Sequence, residues 1–194
     1  GDYHFDKGDL ERSAAAYERI VARPLSRVSG LAYYKLGWVW VNKSTCARAL
    51  DGFEHALDAS ARWEARKAEL AAAQGGAGVV APDAPSTGQA IDVRREALVD
   101  LIYCYTQERD TAQALPYLRS HAADRYAYVA ALRRMAERLS FMNQRDPGLE
   151  VARELVRLSA SDADRLDDAR LLYGFLRVVE GAPAPGLRAS DVRL

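Results

Sequence analysis

Two short clusters carry side chains suited to gripping another molecule. One is Tyr34, Trp38, Val41 and Asn42; the other is Val99, Tyr103 and Gln107. Read as helix, each sets an aromatic ring one turn before an amide. Rings supply contact area at low entropic cost, and amides pair with the N–H and C=O groups of a peptide. The expected chemistry is recognition of a protein or peptide. Bond-making chemistry has little support. His4, His55 and His121 lie far apart. His55 has Asp51 and Asp58 at helical spacing, which reads as a solvated face. No G-x-S-x-G, P-loop or H-E-x-x-H motif occurs. No catalytic residue, metal-ligand set or cofactor is therefore expected. The stripe Arg133, Arg134, Arg138 includes Glu137 and reads as ordinary salt bridging. Asp162, Asp164, Asp167 and Asp168 read as acids at a helix start, where the helix dipole favours them.

Composition narrows the partner class. The 194 residues suit one domain or one run of repeats, and 49% hydrophobic content is enough for a core. No stretch approaches the roughly 18 apolar residues of a membrane span. Lys and Arg number 27, as do Asp and Glu, so net charge is zero. A nucleic-acid binder is usually basic, so nucleic acid is not expected. Arginine outnumbers lysine and alanine is abundant, a pattern of GC-rich bacterial coding. Cys46 and Cys104 form no C-x2-C pair. Two buried free thiols are expected, with a single disulfide as the alternative in an extracytoplasmic protein. Residues 1–8 read as the end of a helix, so a processed fragment is expected, without targeting information.

The elements that must position these side chains are clearest between residues 33 and 56. Tyr33, Leu36, Gly37 and Trp40 share one helical face. Asn42, Lys43, Ser44 and Thr45 make a polar break, and Ala49, Phe53 and Ala56 line the next helix. Small residues at Gly37 and Ala49 let two axes approach, with Phe53 covering the gap. Tyr34 and Trp38 fall on the adjacent stripe, left over from the hairpin. Tyr17, Ser13 and Ile20 stand 36 residues before Phe53, Ala49 and Ala56. Leu98, Leu101, Ile102 and Tyr105, then Ala114 and Leu118, reproduce the pattern 65 residues later, with Ile102 in the glycine's place.

The order aromatic-x2-Leu-Gly-x2-aromatic, followed by Ala-x3-Phe-x2-Ala, resembles the tetratricopeptide repeat (TPR) family across about 1–60 and 93–160. The resemblance implies an all-α fold, a right-handed superhelix (α-solenoid) of antiparallel hairpins. About four TPR-like repeats and a C-terminal capping helix are expected, with the first helices lining a concave groove. Residues 1–60 hold repeats one and two, and 61–92 a helical extension and a Gly/Pro-rich loop over 75–90. Residues 93–180 hold repeats three and four plus the cap, and 181–194 a tail. The second hairpin of that part turns at Asn143, Gln144, Arg145 and Asp146, with Arg133, Ala136, Ser140, Asn143 and Gln144 facing the groove. A last helix is expected over 166–179.

The resemblance implies a non-catalytic scaffold that binds a partner peptide or helix in the groove. Family members that clamp a chaperone's C-terminal carboxylate carry lysine where Tyr34 stands, which argues against that partner. The loop Pro24-Leu25-Ser26 before Tyr33 and Tyr34 resembles bacterial envelope TPR proteins of division, secretion and motility assemblies. A periplasmic or outer-membrane-associated location follows from that likeness, with the cytoplasm as the alternative. The second functional reading is a regulatory or sensor module of a larger signalling protein or enzyme.

Overall fold

The computed structural model describes residues 1–73, 91–159 and 162–177. All regular structure among them is helical. The elements are α1 (Asp2–Asp6), α2 (Leu10–Val21), α3 (Ser29–Asn42), α4 (Cys46–Ala73), α5 (Arg94–Asp100), α6 (Ile102–Glu108), a 3-10 turn (Thr111–Gln113), α7 (Ala114–His121), α8 (Arg125–Phe141), α9 (Arg145–Leu158) and α10 (Asp162–Arg177). No described helix is long and apolar enough to cross a membrane. The loop at 75–90 and the tail at 181–194 lie outside the described residues. The chain forms two compact units, Gly1–Ala97 and Leu98–Leu194.

In the first unit α3 packs on α4, and α2 packs on α3. Glycine decides how closely. A Cβ on Gly37 would lie 2.6 Å from the Phe53 ring, and one on Gly52 would lie 2.9 Å from the Gly37 backbone nitrogen. The close approach therefore pairs Gly37 with Gly52. The sequence reading assigned Ala49 to that role; Ala49 is buried, one turn away. Each helical glycine costs about 1 kcal/mol relative to alanine, and the backbone contact it permits offsets that. Phe53 is fully buried over Gly37. The same device occurs 36 residues earlier, where a Cβ on Gly1 would lie 2.3 Å from the Tyr17 ring.

Turn geometry recurs as well. Gly8, Ser44 and Asn143 have φ of 74°, 55° and 57°. In each case the next amide donates to a carbonyl five residues back: Asp9 to His4 at 2.8 Å, Thr45 to Trp40 at 2.9 Å and Gln144 to Leu139 at 2.9 Å. This is the Schellman closure, which satisfies the last carbonyls of a helix around a left-handed residue. The helix after Asn143 begins at Arg145, so Arg145 and Asp146 belong to α9 and not to the turn. Pro147 then sits third in the helix, where no intrahelical bond needs its missing N–H.

In the second unit α8, α9 and α10 pack on one another, and α6 and α7 pack on α8. The buried faces hold Ile102, Tyr105, Leu118, Leu132, Met135, Leu139, Val151 and Leu155. With Ile102 where the first unit has Gly37, α6 and α7 meet through rings, Tyr105 and Tyr117 at 4.5 Å between centroids. Leu101 divides α5 from α6 but keeps helical angles.

Cys46 and Cys104 are both disulfide-bonded and buried, which corrects the expectation of free thiols. Burial alone suits either state; sequence spacing carries no information on which one forms.

Two tyrosines tie stability to high pH. Tyr17 Oη donates to the Asp2 carboxylate at 2.6 Å, and Lys35 pairs with the same carboxylate at 3.0 Å. Burial, then the bond to Asp2, pushes the Tyr17 phenol above the usual tyrosine range. Burial, then the Asp110 charge, raises Tyr105 likewise. A folded pKa above the unfolded value makes this stability complete below about pH 10 and lost as pH rises beyond it. Denaturant titrations should show a decline above about pH 10 that is shallower for Tyr17→Phe. That variant should also lose about 1 kcal/mol at neutral pH.

Candidate partner-binding site

The first unit places Tyr34, Trp38, Val41 and Asn42 along α3. Tyr34, Trp38 and Val41 are half-buried and Asn42 is exposed. Tyr34 lies 5.8 Å from the Phe53 ring and Trp38 lies 6.1 Å from it, nearly perpendicular. The two rings are thus not spare to the hairpin, as the spacing suggested. Positions 34, 37, 38 and 41 share a helical face. Phe53 occupies the gap at Gly37 and so reaches the ring on either side. Tyr33, expected to hold the hairpin, is half-buried and stacks on His55 at 5.1 Å. Trp40 is buried under Arg48, whose guanidinium lies 3.3 Å from the ring centre. The result is a ring cluster with a fixed floor and a partly open top. Asn42 Nδ2 donates to the Trp38 carbonyl at 2.9 Å, which orients the amide and leaves Oδ1 and the second N–H for another molecule.

The second unit repeats the ring-and-amide pair on α6, with Val99 on the preceding α5. Val99 is half-buried, and Tyr103 and Gln107 are exposed. Gln107 Nε2 donates to the Tyr103 carbonyl at 3.4 Å, the bond that Asn42 makes to Trp38. Trp38 and Tyr103, like Asn42 and Gln107, are 65 residues apart. Two further residues join this surface. Arg138 of α8 donates through Nε to Thr106 Oγ1 at 3.2 Å and lies 4.8 Å from the Tyr103 ring centre. Phe141 lies 5.7 Å from the same guanidinium. Sequence reasoning passed over both. Arg138 read as a salt-bridging residue, and the one available signal was the aromatic Phe141 in the last position of α8.

Between α8 and α10 a cavity of about 410 Å³ is lined by Arg133, Glu137 and Ser140 on one side and Asp167, Asp168 and Arg170 on the other. The shared turn geometry at Ser44 and Asn143 sets Arg133, Glu137 and Ser140 in the places of Tyr34, Trp38 and Val41. Of the five residues expected to face inward here, Arg133 and Ser140 do. Ala136 is buried, Asn143 forms the turn, and Gln144 accepts from Thr111 Oγ1 at 2.6 Å. The misplacement is a slip of three residues in register: Ser140, and not Asn143, takes the place of Val41. The cavity's charges satisfy one another: Arg133 with Asp168 at 2.9 Å, Arg170 with Asp167 at 2.9 Å, Glu137 with Arg134 at 3.5 Å. Asp168 is fully buried beside Arg133 and Ser159, in the second turn of α10, and is no terminal acid.

The histidines stay apart in role. His4 of α1 faces Asp9, His55 Nδ1 approaches the Asp51 carbonyl, and His121 Nδ1 approaches the Tyr117 carbonyl. Among the described residues no three His, Cys, Asp or Glu side chains are placed to hold a metal ion. No protein-family model, curated protein or solved structure matches the chain.

Proposed function

We propose that the chain is a non-catalytic scaffold of TPR-like hairpins that binds a peptide or helix of a partner protein. The observation that carries this reading is the repeated ring-and-amide pair. Trp38 with Asn42 and Tyr103 with Gln107 share one local geometry and one amide-to-carbonyl bond. Among the described residues each amide bonds to a carbonyl of its own helix. Partly open aromatic rings on a rigid helix are suitable binding anchors. The repeat reading is supported by the recurring glycine beneath a ring, Gly1 with Tyr17 and Gly37 with Phe53, and by the three matching turns. The disulfide-bonded state of both cysteines favours an oxidising compartment such as a bacterial envelope.

The test is recovery of a partner from native membranes by the purified chain and by Trp38→Ala. A central aromatic anchor contributes about 2 kcal/mol or more to binding, so recovery should fall at least tenfold. Helix content must be unchanged by circular dichroism, because Trp38 also touches Phe53. Undiminished recovery by a folded variant would remove Trp38 from the site.

A further inference from the structure

The surface around Tyr103 holds a charge that its surroundings do not balance. Arg133 and Arg134, on the same helix as Arg138, are paired with Asp168 and Glu137. Arg138 is not: among the described residues its polar contact is the Thr106 hydroxyl, a neutral group. That bond uses Nε and fixes the plane of the guanidinium. Among the described residues the Nη groups, which form the fork suited to a carboxylate, pair with no acid. The rings on either side are open to solvent. Phe141 is 83% exposed and Tyr103 is 43% exposed. Gln107 lies one turn beyond Tyr103, and among the described residues its Oε1 takes no hydrogen bond.

We propose that Tyr103, Gln107, Arg138 and Phe141 form the docking platform for an acidic peptide segment of a partner. A Glu or Asp side chain takes the Nη hydrogens of Arg138, and flanking apolar side chains cover the two rings. Gln107 accepts from a backbone N–H of the same segment. The choice of an acidic occupant follows from charge complementarity: among the described residues the platform supplies one cation with N–H groups to spare and no anion paired to it. The α8–α10 cavity lacks this property, because its charges are already paired. The inference rests on the peptide-binding reading and specifies its partner in the second unit.

The experiment uses blocked, fluorescein-labelled octapeptides with Glu, Gln or Lys at the centre and leucine on both sides. Binding to the full chain is read by fluorescence anisotropy at low and high salt. The Glu peptide should bind about tenfold tighter than the Gln peptide, the size expected of a hydrogen bond to a charged group. The preference should shrink as salt rises. Arg138→Gln should abolish the preference yet keep the Gln-peptide affinity, and Phe141→Ser should weaken both peptides alike. Equal binding of Glu and Gln peptides would overturn this inference and leave peptide binding itself standing. Absence of binding by all three would overturn both. Vesicles of anionic phospholipid and a single-stranded oligonucleotide form the comparison arms. Binding of either that depends on Arg138, without discrimination among the peptides, would also overturn it.

Discussion

Replacing Phe53 with alanine should lower the stability of the first unit by about 3–5 kcal/mol, as measured by urea unfolding. The ring is fully buried, fills the space over Gly37 and supports Tyr34 and Trp38. Its removal leaves a cavity beneath the very rings proposed to meet a partner. Gly37→Ala attacks the same contact from the other side. Its Cβ would sit 2.6 Å from Phe53, and forcing that overlap should cost about 1–3 kcal/mol. The two changes should not add. Phe53→Leu combined with Gly37→Ala should lose less than the sum of the singles, because a smaller side chain makes room for the methyl group. Additive losses would show that the ring and the glycine are not one packing device.

Reduction should have an effect of similar size. Both cysteines are disulfide-bonded and buried, and loss of a native disulfide typically costs about 2–5 kcal/mol. Purified without reductant and then denatured, the chain should show no reactive thiol. After reduction it should show both of its 2 cysteines. The reduced chain should unfold at lower urea concentration. Thiols detected before reduction would contradict the disulfide, and with it the argument for an oxidising compartment.

What could be read from sequence follows the range of the contacts involved. The hairpin of α3 and α4 was legible because its determinants lie within one helical face and one turn. Gly37, Phe53 and the break at Ser44 are local signals. Gly52 was missed because two small residues, Ala49 and Gly52, compete for one role, and only the crossing of the axes chooses between them. The ring-and-amide pairs were legible as spacing. Their support was not: whether Tyr34 and Trp38 touch Phe53 depends on how deeply that ring sinks into the gap at Gly37. Arg138 and Asp168 were misread for a further reason. Their surroundings come from helices more than 30 residues away, Thr106 for one and Arg133 for the other. Local pattern assigns such residues to salt bridges and helix ends, and tertiary packing reassigns them.

The most direct test of the binding surface is site-specific photo-cross-linking in cells of the source organism. A photoreactive amino acid replaces Asn42, which is exposed on the ring-and-amide stripe, or Ala65, which is exposed on α4 away from it. Neither position contributes to the core. The scaffold reading predicts a discrete protein adduct from position 42 and none from position 65. No adduct at position 42, or the same adducts from both positions, would contradict it.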